Sequence, residues 1–306
     1  MLSFGKRPFA TLLALALLVP ALMACGNNAT TGSSPAATTA PGATTAPEAG
    51  GAGQSGKLTL AGSSALLPLL QAAAQEYQKI HTDVQITVTA GGSGAGRTQV
   101  CEGKIDIGNS DVPLKDEERS SLNCADAQEF PVAIQAFDAV ANKQGPGSVA
   151  NLTKDQLVGI FSGQITNWKE VGGDDQPIVL INRAKGSGTR SNMAKFLFDG
   201  DDTKFAIGES EEDNSETVKT TVAQTPGAIS YLGFAYLSDP ELVAFSIDGV
   251  APTKEDIKAG KWPIGGPGYM ITKAAPNDTA KAFIDYVTGE FQANTAFDTL
   301  GFVPVK

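Results

Sequence analysis

The chain has 306 residues, with 23 Lys and Arg against 33 Asp and Glu, and a formal net charge of -10. An acidic chain without a basic cluster argues against nucleic acid as a partner, because proteins that bind it neutralise phosphates with Lys and Arg. A single histidine and three cysteines supply few ligands for a transition-metal site, so none is expected.

The first 24 residues predict a cleaved export signal. Lys6 and Arg7 precede an almost wholly apolar stretch over residues 9–24. That stretch is too short for a membrane span, which needs roughly 20 residues. The stretch ends in Leu22-Met23-Ala24 directly before Cys25, and Gly26 follows it. This order resembles the lipobox of bacterial lipoproteins, in which the cysteine is acylated and becomes the mature N-terminus. The alternative is an ordinary signal peptide with an incidental cysteine.

A disordered tether is predicted for residues 25–56. They are mostly Ala, Thr, Gly, Pro and Ser with almost nothing large to bury, so folding would not offset the entropy of ordering them. Residues 57–306 are enough for two ordinary domains with their own cores. In an exported protein the remaining cysteines, Cys101 and Cys124, are expected to form a disulfide.

Strands and helices alternate through the rest of the chain. Short apolar or alternating runs predict strands at residues 57–61, 84–88, 104–108, 129–140, 177–181, 243–247 and 269–272. Apolar positions three and four apart, with capping residues, predict helices at residues 66–80, 153–161, 192–198, 216–224, 278–287 and 291–300, and shorter ones ending at 101 and starting at 116. This order predicts an α/β fold with mainly parallel sheets.

Three loops between a strand and a helix share one composition. Residues 62–64, 91–96 and 186–189 all combine glycine with a hydroxyl side chain. Each leaves free amides at a helix start, and these amides with the helix dipole favour an anion. In open α/β sheets such loops gather at the carboxyl edge of the strands, where ligands bind. The alternative for any one of them is a surface turn with a capping serine.

Two charged residues stand beside these loops. Arg183 ends the strand before the third loop and offers a forked, permanently charged donor. Asp111 also follows a strand, and a carboxylate is useful beside an anion only if the anion carries a proton that it can accept. Phosphate near neutral pH is protonated and sulfate is not, so this acid favours phosphate. The alternative for Asp111 is a turn residue before Val112 and Pro113.

Two enzymatic alternatives are weaker. Residues 91–98 approach the spacing of a phosphate-binding P-loop, but Arg97 stands where lysine is required. Residues 91–94 approach the nucleophile elbow of a serine hydrolase, but Ala95 breaks that pattern. A catalytic triad would also need His81 as its base, and this residue is predicted to lie at a solvated helix end.

In combination, these motifs resemble the phosphate-binding lipoproteins of bacterial ABC phosphate importers, which are class II periplasmic-type solute-binding proteins. The resemblance covers nearly all of residues 57–306 and is carried by residues 61–66, 91–96, 106–114, 157–168, 183, 187–189 and 226–231. It implies a two-lobed α/β fold. Each lobe would be a mainly parallel sheet flanked by helices, with the ligand in the cleft between lobes.

The resemblance also implies where the lobes lie. The chain would cross between them near Gln135–Asp138 and again near Tyr231–Phe234. Residues 57–136 and 233–306 would then form one lobe, and residues 137–232 the other. Closure of the lobes would bury the ligand by a hinge motion.

The ligand set that the resemblance implies is Ser64, Ala65, Ser93, Asp111, Arg183, Ser187, Gly188 and Thr189. The first three would donate hydroxyls or amides from one lobe, and the last three would close the far side. Asp111 would accept the ligand proton and Arg183 would pair with its charge. This chain departs from the family at Lys185, where an aspartate usually braces the arginine, and at Gly266, where an arginine is usual.

The function implied is binding of inorganic phosphate outside the cytoplasm and its delivery to an ABC import permease. The protein would be a monomer without catalytic activity or cofactor, held at the outer face of the cytoplasmic membrane through lipidated Cys25. Within solute binding, sulfate, molybdate or tungstate remain alternative ligands.

Overall fold

The computed structural model of the protein describes residues 56–305. Its strands are β1 (Gly56–Gly62), β2 (Val84–Ala90), β3 (Ile107–Ser110), β4 (Gln128–Asn142), β5 (Asn151–Leu152), β6 (Val179–Arg183), β7 (Ser210–Glu212), β8 (Ala228–Gly233), β9 (Leu242–Ala244), β10 (Ser246–Ile247) and β11 (Gly265–Thr272). Its α-helices are α1 (Leu67–Ile80), α2 (Ser93–Cys101), α3 (Asp116–Ser121), α4 (Lys154–Phe161), α5 (Gly188–Phe198), α6 (Ser215–Gln224), α7 (Lys254–Lys258), α8 (Asp278–Thr288) and α9 (Ala296–Thr299). The predicted signal and tether, including Cys25, lie almost wholly outside the described residues.

One continuous sheet runs in the order β2-β1-β3-β11-β4-β8-β6-β7, with β9 added beside β4. Pairing is parallel among β1, β2 and β3 and among β6, β7 and β8. Successive strands in each of these groups are joined through a helix, which returns the chain in the same direction. Pairing around β4 and β11 is antiparallel. The α/β class is confirmed, and the centre of the sheet is mixed.

Strand β4 passes from one half of the sheet to the other. Its first part pairs with β11 up to Ala136, and its second part pairs with β8 from Phe137 onward. Each half has its own apolar core, with Tyr77 and Phe283 in one and Phe161 and Trp168 in the other. Full burial of each such side chain stabilises the fold by about 1.5–3 kcal/mol.

The strand ends bring the predicted loops together. At the end of β1, Gly62 pairs with Asn109 of β3, so the residues that follow the two strands are neighbours.

A disulfide joins Cys101 at the end of α2 to Cys124 after α3, with their Cα atoms 5.3 Å apart. The two cysteines are 23 residues apart, and Asp111 lies between them in the chain. Closing a loop of this size lowers the entropy of the unfolded chain and so stabilises the fold by about 3 kcal/mol.

Several elements differ from their predicted bounds. Strand β3 begins three residues later than predicted, and the strand predicted at residues 243–247 is divided into β9 and β10. Further differences lie at α5, β11 and the last helix. Helix α5 begins at Gly188, earlier than predicted, because the Ser187 hydroxyl accepts a hydrogen bond from the Arg190 amide and caps the helix. Strand β11 begins four residues early, and the predicted last helix is split into a short 3₁₀ turn and α9. No helix within residues 56–305 has the length and apolar content that crossing a bilayer requires.

Asp138 is a buried acid on β4, just after the strand changes partners. It is fully buried, and neither carboxylate oxygen has a hydrogen bond of ordinary geometry within the described part of the chain. The amides of Ala139 and Phe245 are the donors that act on it, and burial nevertheless raises its pKa well above the usual range. Above the ordinary pKa of aspartate, the Asp138 carboxyl therefore stays protonated in the folded state, whereas it is deprotonated in the unfolded chain.

We expect stability to fall as the pH rises above about 3.9, the ordinary aspartate value, because only the folded state then retains this proton. In Asp138→Asn this contribution disappears. The thermal midpoint of the variant minus that of the wild type should therefore increase from about pH 4 upward in calorimetric scans, until the pH passes the folded-state pKa of Asp138. Two midpoint curves that stay parallel across this range would contradict the assignment.

Candidate functional site

Arg183 lies at the end of β6 with its guanidinium enclosed, and only 1% of the residue is exposed. Its Nη atoms donate to the hydroxyls of Ser64, Thr189 and Ser215 at 3.3–3.4 Å. Its Nε and Nη2 donate to the carbonyls of Glu212 and Asp213 at 3.2 and 3.0 Å. A cation is thus held in a buried position by neutral groups.

Asp111 follows β3 and is also buried. Its Oδ1 accepts hydrogen bonds from Ser63 and, at 2.9 Å, from Gln135, while its Oδ2 lies 3.5 Å from the Thr189 hydroxyl. Burial raises the pKa of this carboxyl, and the hydrogen bonds and the charge of Arg183 oppose that rise. Oδ1 therefore has its hydrogen-bond donors within the protein, whereas Oδ2 faces the start of α5.

The eight predicted ligand residues are all buried, and they are Ser64, Ala65, Ser93, Asp111, Arg183, Ser187, Gly188 and Thr189. Ser64 contacts Arg183, and Ser93 accepts a hydrogen bond from the Asp111 amide at 3.0 Å. Thr189 lies within hydrogen-bond distance of both charged groups. Ala65 adjoins this group through Ser64 without a polar side chain of its own.

The hydroxyls at the three helix starts have different roles. Ser187 caps α5, but Ser64 and Ser93 do not cap the helices that follow them. The residue that accepts from the first turn of α1 is Ser63, whose Oγ lies 3.0 Å from the Leu66 amide. Ser64 and Ser93 are thereby left to face Arg183 and Asp111.

Gly188 allows the start of α5 to approach the opposite loops. A Cβ atom at this position would lie 2.2 Å from the Ser93 hydroxyl and 2.7 Å from Asp111 Oδ2. Such distances are shorter than van der Waals contact, so any side chain would push the helix start away. The glycine is needed for this approach and not for its backbone conformation.

Several residues in this network of hydrogen bonds around Arg183 and Asp111 were not predicted, among them Ser63, Gln135, Asn192 and Ser215. Ser215 starts α6, its hydroxyl lies 2.9 Å from that of Ser64, and its amide donates to the same oxygen. The order of strand, hydroxyl and helix could have revealed it, but this loop lacks the glycine that marked the other three. Gln135 lies inside β4, where no local pattern distinguishes it.

Lys185 does not enter the network. The side chain is exposed, whereas Arg183 two residues earlier is buried. The carbonyls of Glu212 and Asp213 hold the arginine, in place of the aspartate that the resemblance implied at position 185. At the other departure from the family, a Cβ on Gly266 would come no closer than 3.9 Å to Asn192 Oδ1, so that position has room near the site.

The enzymatic alternatives lack their key groups. His81 lies at the far end of α1, roughly 20 Å along the helix from the loop before it, and stacks on Tyr77 at 4.2 Å. Arg97 is paired with Glu118 at 2.8 Å and is not free to hold a nucleotide phosphate. Within residues 56–305, no group of three His, Cys, Asp or Glu side chains is placed to hold a metal.

The geometry suits a small oxyanion that carries a proton. Arg183, the site hydroxyls and the amides at the start of α5 can donate to its oxygens, and Asp111 can accept its proton. The dipole of α5 adds a favourable potential at the same point. A fully deprotonated anion would instead face the lone pairs of Asp111.

Comparisons with known proteins show which family the chain resembles. A family model described as a PBP superfamily domain matches residues 37–290. The phosphate-binding protein PstS of Bacillus subtilis is 42% identical over 250 residues, which are 82% of this chain and 81% of that protein.

Solved structures show the same fold. A phosphate ABC transporter substrate-binding protein from Clostridium perfringens, solved with bound phosphate, superposes with a TM-score of 0.75 at 28% identity. The match covers 82% of this chain and all of that one. An ABC-type phosphate transport receptor from Vibrio cholerae gives a TM-score of 0.63 at 25% identity, covering 80% and 99% of the two chains. The chain therefore belongs to the PBP superfamily and, within it, to the family of the Bacillus phosphate-binding protein PstS.

Proposed function

We propose that this protein binds inorganic phosphate outside the cytoplasm and delivers it to an ABC-type import permease. The Bacillus relative is named as a phosphate-binding protein, and the two solved structures are named as the substrate-binding protein and the receptor of ABC-type phosphate transport. The observation that carries the proposal is that a buried guanidinium and a buried carboxylate both lie next to Thr189 at the start of α5. This set provides donors for anionic oxygens and one acceptor for a proton.

Titration calorimetry with phosphate, arsenate, sulfate and molybdate tests the ligand. We expect phosphate and arsenate to bind, because both carry a proton near neutral pH, and sulfate and molybdate to bind much more weakly. Sulfate binding as tight as that of phosphate would contradict the role of Asp111. It would favour the second candidate, a receptor for another tetrahedral oxyanion.

Gly188→Ala is expected to weaken phosphate binding roughly tenfold while the fold is retained, because the added methyl group overlaps Ser93 and Asp111. Calorimetry gives the affinity and circular dichroism monitors the fold. Gly266→Ala is the matched control, since its Cβ has room near Asn192. Equal affinities for the two variants would show that the helix start does not need this close approach.

We further propose two lobes, residues 57–136 with 233–306 and residues 137–232. The change of partner strand in β4 between Ala136 and Phe137 supports the first crossover, and the end of β8 at Gly233 supports the second. Ser64, Ser93 and Asp111 would then belong to one lobe and Arg183 to the other. A decrease in the radius of gyration on adding phosphate, measured by solution scattering, would be the sign of closure.

The proposal includes membrane anchoring through Cys25 and no catalytic activity. The apolar segment that ends in Ala24 directly before Cys25 supports lipidation. The Bacillus relative is named as a binding protein. Replacing Cys25 by serine should release the protein from the membrane fraction into the medium. Retention of that variant in the membrane would indicate another anchor.

A further inference from the structure

Long-range charge opposes anion capture by this protein. The chain carries a formal net charge of -10, so a phosphate anion approaching from solvent meets a repulsive field at low ionic strength. Arg183 cannot offset that field at a distance, because it is buried and surrounded by protein dipoles. A cation on the approach route would therefore matter for the rate of capture.

A polar cleft of about 270 Å³ lies directly outside the site. Its lining includes Gly92, Gly94, Ser187 and Lys185, together with Arg97 and Asp213. Ser187 joins the cleft to the network, because it is also the cap of α5. We call this cleft the mouth of the site.

Lys185 occupies the solvent side of the mouth. The Gly94 amide at the start of α2 donates to the Gly186 carbonyl at 2.8 Å, so this end of α2 lies against the loop that carries Lys185. The lysine is exposed, and it forms no ion pair with any residue in the described part of the chain. Its charge is directed to solvent and to the mouth.

The other charged residues of the mouth do not supply a free positive charge. Arg97 is neutralised by Glu118 at 2.8 Å, with 8% of its side chain exposed. Asp213 adds a negative charge, and its backbone carbonyl is occupied by Arg183. Within residues 56–305, Lys185 is therefore the one cation of the mouth lining that is not in an ion pair.

We propose that Lys185 is a steering cation: it draws the anion into the mouth and offsets Asp213, but does not contact the anion once it is enclosed. This inference rests on the proposed phosphate-binding function. It predicts a change in the association rate constant without a change in the dissociation rate constant.

Stopped-flow fluorescence with inorganic phosphate tests this proposal on the mature wild type, Lys185→Gln and Lys185→Glu. Trp262 is a suitable reporter, because its indole donates to the Phe137 carbonyl where β4 changes partners. At about 10 mM ionic strength, we expect association to slow roughly threefold in the glutamine variant and roughly tenfold in the glutamate variant. The differences should vanish near 1 M salt, where the Debye length is about 3 Å.

Lys57→Gln and Lys57→Glu are the matched controls. Lys57 is exposed and lies at the opposite end of β1 from the site loops, so these variants change the net charge equally without changing the mouth. They should bind at nearly the wild-type rate. An equal effect at both lysines would assign the effect to net charge and overturn the proposal.

Two further outcomes would contradict a steering role. An unchanged association rate constant in the Lys185 variants would overturn it while leaving phosphate binding intact. A faster dissociation with unchanged association would show instead that Lys185 touches the bound anion. Failure of the wild type to bind phosphate at all would overturn the proposed function, and this inference with it.

Discussion

Arg183→Ala is expected to weaken phosphate binding by at least about 30-fold. Truncating one partner of a buried, hydrogen-bonded charge pair typically costs about 2–5 kcal/mol. Here the guanidinium is enclosed and is the buried cation of the network, held by the carbonyls of Glu212 and Asp213. Its loss would leave an anion facing Asp111 without a compensating charge. Titration calorimetry at neutral pH gives the affinity.

Two variants control this measurement. Arg183→Lys keeps the charge but loses the forked donor geometry, so its affinity should lie between those of the wild type and the alanine variant. Arg119→Ala removes another arginine, one that pairs with Glu129 at 2.6 Å outside the network, and should bind phosphate normally. Normal binding by Arg183→Ala, with an unchanged thermal midpoint, would mean that the anion site lies elsewhere.

Asp111→Asn is expected to reduce the preference for phosphate over sulfate by at least about 100-fold. Asparagine keeps an oxygen to accept from Ser63 and Gln135, so the amide nitrogen would take the place of Oδ2 opposite Thr189. That position then donates a hydrogen bond, and the repulsion between a carboxylate and a deprotonated anion disappears. Phosphate affinity should change less than sulfate affinity.

Calorimetry with both anions measures this ratio. Asp106→Asn is a suitable control, because Asp106 accepts from the Thr59 amide at 2.7 Å near the other end of β3. It should leave the preference unchanged. If Asp111→Asn still rejects sulfate as strongly as the wild type, the selectivity must come from the size or rigidity of the site.

Local patterns predicted most of the elements but not the pairing of all strands. Helix α8 was predicted at residues 278–287 and is Asp278–Thr288, because both its periodicity and its Asn277 cap are local features. Strand β11 was predicted from residue 269 but begins at Gly265. Its Gly-Gly-Pro-Gly start has low strand propensity and is held by pairing with β4, which is distant in sequence.

The residues of the site were likewise predicted only where a local pattern marked them. Loops that combine glycine with a hydroxyl could be recognised, and they contain Ser64, Ser93 and Gly188. Ser215 uses the same principle in an acidic segment without glycine and was missed. Gln135 is recognisable only from its 2.9 Å hydrogen bond to Asp111, which depends on how β4 lies against the end of β3.

The sequence by itself determined the chemistry available at the strand ends, namely one guanidinium, one carboxylate and several hydroxyls, because residue type and local periodicity place them there. Only the tertiary structure decided how they are used. Arg183 and Ser64 are 119 residues apart along the chain, and their contact requires the two halves to pack together. That packing also brings the carbonyls of Glu212 and Asp213 to Arg183 and leaves Lys185 in solvent, outcomes that no local pattern encodes.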